Sequence, residues 1–369
     1  MLENNGLEVF LALVKAGLWE QDISLSKYIN PDYDQVFLLA EEQSVHGLVT
    51  AGIEHTRDAR VPQEVTLQFI GQSLQIENHN QAMNQFVADI VDKMRNEGIY
   101  SLLVKGQGLA QCYERPLWRG CGDVDLLLSK DNYQKAVEFL RPVASKVFGD
   151  NPYNKHLAMT IDSWTVELHG TLRGLLKKKI DKGIDRAQND VFYGGKVRSW
   201  MNGKVQVFMP HADEDVVFVF CHLLQHFFKE AIWLRQICDW CRLLWTFRDS
   251  LDRELLEMRI RKMGIMTEWK AFASIAVKYL GMPKETMPMY SSSSYWSRKG
   301  ERLFNYIIKS GHNADPGDYS NSSYVISKAM SFWRHTKVGF DHLVLFPLDT
   351  MIVWGNMVKY GIKVVVRKE

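Results

Sequence analysis

Asp123 and Asp125 stand one residue apart in Asp123-Val-Asp-Leu-Leu-Leu128, a run that is otherwise apolar. Such a run reads as a buried strand, and side chains alternate faces along a strand, so the two carboxylates point the same way. Two anions held side by side repel. A cation between them relieves the repulsion, and Mg2+, a hard divalent ion that prefers oxygen ligands, suits the pair. The competing reading, a polar strand end capping a neighbouring loop, fits so apolar a run poorly. A third acid follows in Trp164-Thr-Val-Glu-Leu-His169. There Glu167 and His169 share one strand face and reach the aspartates if the two strands lie side by side. The carboxylate is the better Mg2+ ligand, which leaves His169 to support a ligand or to touch substrate.

Upstream, Lys105-Gly-Gln-Gly108 forms a glycine turn between a short strand and a helix. Backbone N–H groups left free at a helix start, where the dipole favours negative charge, make a seat for phosphate. The turn lacks the spacing of a P-loop or a dinucleotide fingerprint, so its meaning comes from the aspartates that follow. Lys105 and Arg119 lie close enough in the chain to contact phosphate oxygens, Arg119 with a bidentate fork; the alternative for both is ordinary surface charge. Three carboxylates around two metal ions, beside a triphosphate, are suited to moving a nucleotidyl group to a hydroxyl.

The elements that must hold these residues read as an α+β chain. Apolar residues recur at helical spacing in an N-terminal region, residues 1–97, with Gln63 to Asn96 as one long helix leading to the first site strand. Residues 98–210 alternate strands and helices: strands at 99–104, 124–128, 156–161 and 164–169, helices at 107–113 and 132–140. A hairpin in 196–210 turns at Asn202-Gly203. Residues 211–369 return to helical periodicity, starting with a capping pattern near Asp213. Ser291–Ser294 and Asn313–Ser323 are the expected mobile loops. On the C-terminal helices His222 and His226 are four apart, as are Arg235 and Asp239; His226 and Arg235 are candidates to line the cleft, whereas Trp233, Trp240 and Trp245 are assigned to the core.

Composition bounds the partners. A net charge of +2, from 45 Lys+Arg against 43 Asp+Glu, supplies no field for long nucleic acid. Five cysteines without a framework spacing, and no basic-then-apolar start, indicate a reduced cytoplasmic protein. Cys238 and Cys241, spaced like a redox motif, read as small core residues of an amphipathic helix. The apolar stretch Leu343–Val366 is interrupted by Asp349, Lys359 and Lys363, which argues for a packed helix and against a membrane span. Arg367-Lys368 reads as a solvated end.

The order Lys-Gly, a helix of small residues, Tyr113-x-x-Pro-x-x-Arg119, Gly122-Asp-Val-Asp-Leu-Leu127 and Val166-Glu-Leu-His169 resembles the DNA polymerase beta-type nucleotidyltransferase superfamily. It is most similar to the group of uncharacterised bacterial nucleotidyltransferases. The match runs through Leu102–Leu128 and Val166–His169 and extends to His222–Asp239. The resemblance implies a small mixed-sheet nucleotidyltransferase core flanked by helical regions, with Asp123, Asp125 and Glu167 as catalytic metal ligands and Gly106–Gly108 as the triphosphate turn. Superfamily members carry Gly-Ser or Gly-Gly at that turn. Here Gly106-Gln107 stands instead, so the backbone, the Gln107 amide or Lys105 must replace the serine. The implied reaction uses Mg2+, two ions, with Mn2+ as a substitute, and an NTP donor. The acceptor is a hydroxyl of a small molecule, a sugar or a protein. The alternative is a catalytically inactive nucleotide-binding or protein-interaction module.

Overall fold

The computed structural model describes residues 5–58, 61–151, 155–229, 232–311 and 342–366. The chain opens with α1 (Asn5–Trp19), α2 (Tyr33–Glu42) and α3 (His46–Glu54). Helices α1 and α3 cross at backbone contact because small residues meet there: a Cβ added to Gly52 would fall 2.1 Å from the Leu13 carbonyl oxygen. The long helix anticipated from the scarcity of breakers is present as α4 (Gln63–Asn96), 34 residues.

The sheet follows as β1 (Ser101–Val104), α5 (Gly106–Ala110), β2 (Asp123–Leu128), α6 (Lys130–Leu140), β3 (Lys146–Asn151), β4 (His156–Ile161) and β5 (Trp164–His169). Strand order is β1-β2-β5-β4-β3, with β2 and β5 parallel and the remaining pairs antiparallel. Alternation sorts the side chains by face. Leu103, Val124, Leu126, Leu128, Val166 and Leu168 pack with Met83, Val87, Val91 and Met94 of α4 and Ala136 and Leu140 of α6. The opposite face carries Asp123, Asp125, Glu167 and His169. On that face Leu102, Val104 and Leu127 join the main helical core.

Then come α7 (Lys178–Tyr193), the hairpin β6 (Val197–Asn202) and β7 (Val205–Pro210), α8 (Ala212–Lys229), α9 (Leu234–Thr246), α10 (Arg253–Met263), α11 (Met266–Lys278), α12 (Ser294–Gly311) and α13 (Pro347–Val366). The hairpin turn is shifted by one residue from expectation. Asn202 still pairs with Val205, so the loop is Gly203-Lys204, and only Gly203, at φ +60, takes a positive φ. Asn202 instead donates its amide to the Asn84 carbonyl of α4 at 2.6 Å. Strand β3 and helix α7 escaped the sequence reading; α7 buries Ile180, Ile184, Ala187 and Val191 at helical spacing.

Buried residues of α1–α3 and of α7–α13 fall in one continuous core, so the two helical regions at the ends of the sequence pack as one layer. Cys238, Trp240 and Cys241 are fully buried in it. Residues 291–293 are irregular, and 313–323, with Arg367-Lys368, lie outside the described residues. No described helix is long and apolar enough to cross a membrane.

Candidate active site

Strand register builds the site. In the parallel β2–β5 pair Asp125 lies beside Glu167 and Leu127 beside His169; in the β1–β2 pair Asp125 faces Val104, which puts Lys105 one residue beyond. The β4–β5 hairpin sets His156 opposite His169. Asp123, Asp125 and Glu167 each present a carboxylate oxygen, all within 4.8 Å of one another. The strands therefore bring the three acids together on the floor of a cleft of about 430 Å³, roofed by α8 and α9. The volume is in the range of small-ligand sites.

Basic side chains bracket the acids. Lys105 Nζ and His169 Nε2 both contact Asp125 Oδ1, at 2.6 and 2.7 Å. His156 Nε2 lies 3.1 Å from Glu167 Oε2, and His169 Nε2 lies 3.4 Å from it. The surroundings drive the carboxyls apart. Burial pushes Asp125 up, but Lys105 and His169 outweigh it and hold the carboxyl below its ordinary value. Burial likewise opposes ionisation of Glu167, and its hydrogen bonds to His156 and His169 more than reverse this. Asp123 moves the other way, raised first by repulsion from Asp125 and then by burial. It has no hydrogen bond or ion pair to a described residue. Burial opposes the charge on His169, yet Asp125 and Glu167 raise its pKa. Lys105 is the N-cap of α5 and takes an unusual φ of +57. That conformation turns the side chain from the glycine turn onto the carboxylates, a strain characteristic of functional turns.

The glycine turn itself opens α5, whose first-turn N–H groups have no intrahelical acceptor. Gln107 does not serve it through its amide. The side chain is buried, with Nε2 donating to Asn80 Oδ1 of α4 at 2.8 Å. Asn80 in turn donates to the carbonyls of Leu117 and Arg119. Gln107 is therefore a brace for the loop before β2, correcting the expectation of an amide contact to phosphate.

Arg119 lines the cleft wall, but its fork is engaged. Nε and Nη2 donate to the two oxygens of Asp239 at 3.0 and 2.6 Å, Nη1 donates to the Gly120 carbonyl at 3.1 Å, and the Tyr113 hydroxyl adds a bond to Asp239 at 2.7 Å. Asp239 thus pairs with Arg119, 120 residues away, and not with Arg235 four residues before it on α9. Arg235 donates Nη1 to the Gly120 carbonyl at 2.5 Å, and its buried Nε has no acceptor among the described residues. Burial, then neighbouring Arg119, lower its pKa. On α8, His222 and His226 do share one side, with Nε2 atoms 3.0 Å apart, and both line the cleft. Burial, and then Lys105, hold His222 well below its ordinary pKa. Trp233, assigned to the core from sequence, instead forms part of the cleft wall.

His156 was the residue missed in the strand reading, and its signal was available. Strands at 156–161 and 164–169 separated by two residues must pair as a hairpin, which sets 156 against 169. Asp239 carried no such signal, since nothing local ties α9 to the loop before β2.

A family model described as uncharacterised nucleotidyltransferase matches residues 30–281, which spans the sheet, the cleft and the helices through α11. No curated protein and no solved structure matches the chain significantly.

Proposed function

The chain belongs to the uncharacterised nucleotidyltransferase family, and from that premise we propose that it is a Mg2+-dependent enzyme moving a nucleoside monophosphate from an NTP to a hydroxyl of a small molecule, a sugar or a protein. The observation that carries the reading is the convergence of Asp123, Asp125 and Glu167 within 4.8 Å on a cleft floor. An all-oxygen set of this kind fits Mg2+ or Mn2+. Bound there, the metal would supply charge neutralisation for the leaving pyrophosphate and a lowered pKa for the attacking hydroxyl.

The remaining work falls to the chain. Backbone N–H groups at Gly106–Gly108 seat phosphate oxygens, and Arg235, whose Nε has no acceptor among the described residues, supplies the guanidinium on the opposite wall. Lys105 and His169 hold Asp125 in one rotamer and keep it ionised. Arg119 positions the loop before β2 through Asp239. His226 stands on the far wall, where an acceptor would lie.

A second reading, a nucleotide-binding or protein-interaction module without transfer activity, draws on one observation: Lys105 Nζ and His169 Nε2 already share Asp125 Oδ1. One experiment separates the two. The melting temperature is measured against each NTP with and without Mg2+, then for Asp123→Asn. At a ligand concentration of 100 Kd the stabilisation is about 2.7 kcal/mol, a readable shift. A shift that needs both NTP and Mg2+ and vanishes in Asp123→Asn supports the enzyme. A shift with NTP that ignores Mg2+ and survives Asp123→Asn supports the binding module, and no shift with any NTP removes the donor site altogether.

A further inference from the structure

A second group of metal-ligand side chains lies at the junction of β7 and α8. His211 sits between the strand and the helix, and Asp213 and Glu214 follow in the first turn of α8. The three residues each offer one ligand atom, all within 4.8 Å of one another. His211 Nδ1 is 3.3 Å from Asp213 Oδ2 and 3.7 Å from Glu214 Oε2. Zinc bonds of about 2.0–2.2 Å place tetrahedral ligand atoms about 3.3–3.6 Å apart, so the two separations from His211 Nδ1 approximate edges of a zinc tetrahedron, and the remaining pair lies within 4.8 Å.

The supporting contacts leave a ligand oxygen unused. Arg259 Nη2 donates to Glu214 Oε1 and to Asp190 Oδ2, each at 2.8 Å, and Arg259 Nη1 donates to the Asp213 carbonyl at 2.9 Å. The Asp252 N–H donates to Asp213 Oδ1 at 2.9 Å. Glu214 is fully buried, and its Oε2, the atom facing His211, has no hydrogen-bond partner among the described residues. A buried carboxylate oxygen without a donor is costly. Charge points the same way: Asp190, Asp213 and Glu214 bring three negative charges against one from Arg259, and a divalent ion cancels the remainder. His211 is over a third exposed, which leaves the fourth ligand position open to water.

We propose that His211 Nδ1, Asp213 Oδ2 and Glu214 Oε2 bind one Zn2+ ion, distinct from the metals of the cleft. Arg259 and the Asp252 N–H hold the outer oxygens, as outer-shell partners of metal ligands commonly do. The ion ties the exit of β7 to the first turn of α8, one residue before Asp215 on the cleft wall.

The test uses full-length protein stripped with chelator, loaded with Zn2+, dialysed and assayed for bound zinc and melting temperature. Because His156, Glu167 and His169 in the cleft also form a possible zinc set, two variants are compared. His211→Ala, a change at a partly exposed residue, is expected to lose one equivalent of zinc and the zinc-dependent rise in melting temperature. His156→Ala is expected to keep both. Retention of every equivalent by His211→Ala, or no zinc retained by the wild-type protein, overturns the proposal.

Discussion

Asp123 and Asp125 are one residue apart on one face of β2, yet their surroundings treat them differently. Asp125 is almost fully buried and compensated by Lys105 and His169, whereas Asp123 feels mainly the repulsion of Asp125. Their substitutions should therefore separate. Asp123→Asn relieves repulsion, so without metal the protein is expected to melt at the same or a higher temperature while losing its response to Mg2+ and NTP. Asp125→Asn leaves the largely buried Lys105 short of its counter-charge and is expected to cost up to about 3–5 kcal/mol, the penalty for breaking a fully buried ion pair. Urea titration of both variants checks the contrast; equal destabilisation would contradict it. The carboxylate set was legible in sequence because strand alternation fixes which neighbours share a face. The basic groups that share Asp125 were less so: His169 followed from the same alternation, but Lys105 reaches the acid from a positive φ that no local pattern announces.

Helix α5 is short, and its role depends on what braces it. Gln107 occupies the place where a small residue contacts phosphate in the superfamily the chain resembles, but here it turns inward to Asn80 and supports the Leu117–Arg119 loop. Gln107→Ala is expected to lower stability by about 1–3 kcal/mol, the cost of leaving Asn80 Oδ1 unpaired. The thermal shift on NTP binding should persist, since the Gln107 side chain is buried against α4 and does not line the cleft. Unchanged stability with a lost NTP shift would reverse the assignment. The glycine turn itself could be read from its residues; the direction of the Gln107 side chain could not, because the acceptor lies 27 residues upstream on another helix.

Across the molecule, helices from both ends of the sequence share one core, and a buried ionic cluster ties α11 and α13 to the start of α7 within its C-terminal part. Glu268 of α11 is fully buried, 3.6 Å from Lys177 Nζ just before α7, and Lys177 also pairs with Asp349 of α13. Burial pushes the Glu268 carboxyl up to about 7, with Lys177 opposing it. The folded-state value lies above the unfolded value of 4.5, so this group's contribution to stability is full below 4.5 and is lost as pH rises through about 7. The penalty above neutrality is about 3 kcal/mol. Unfolding free energy measured from pH 5 to pH 8 should fall in the wild-type protein and vary less in Glu268→Gln, which should be the more stable of the two at pH 8. Parallel curves for the two proteins would show that Glu268 does not titrate in this window.

By itself the sequence determined the α+β class, the long α4, the strands of the site and the grouping of Asp123, Asp125 and Glu167, because these follow from periodicities of two and 3.6 residues that act over short spans of chain. Tertiary structure alone decided that Arg119 grips Asp239, that Trp233 faces the cleft and that the two helical regions are one core. Those outcomes depend on which surfaces meet across more than a hundred residues. Packing and the pairing of buried charge choose among such meetings, and neither leaves a local trace in the order of the residues.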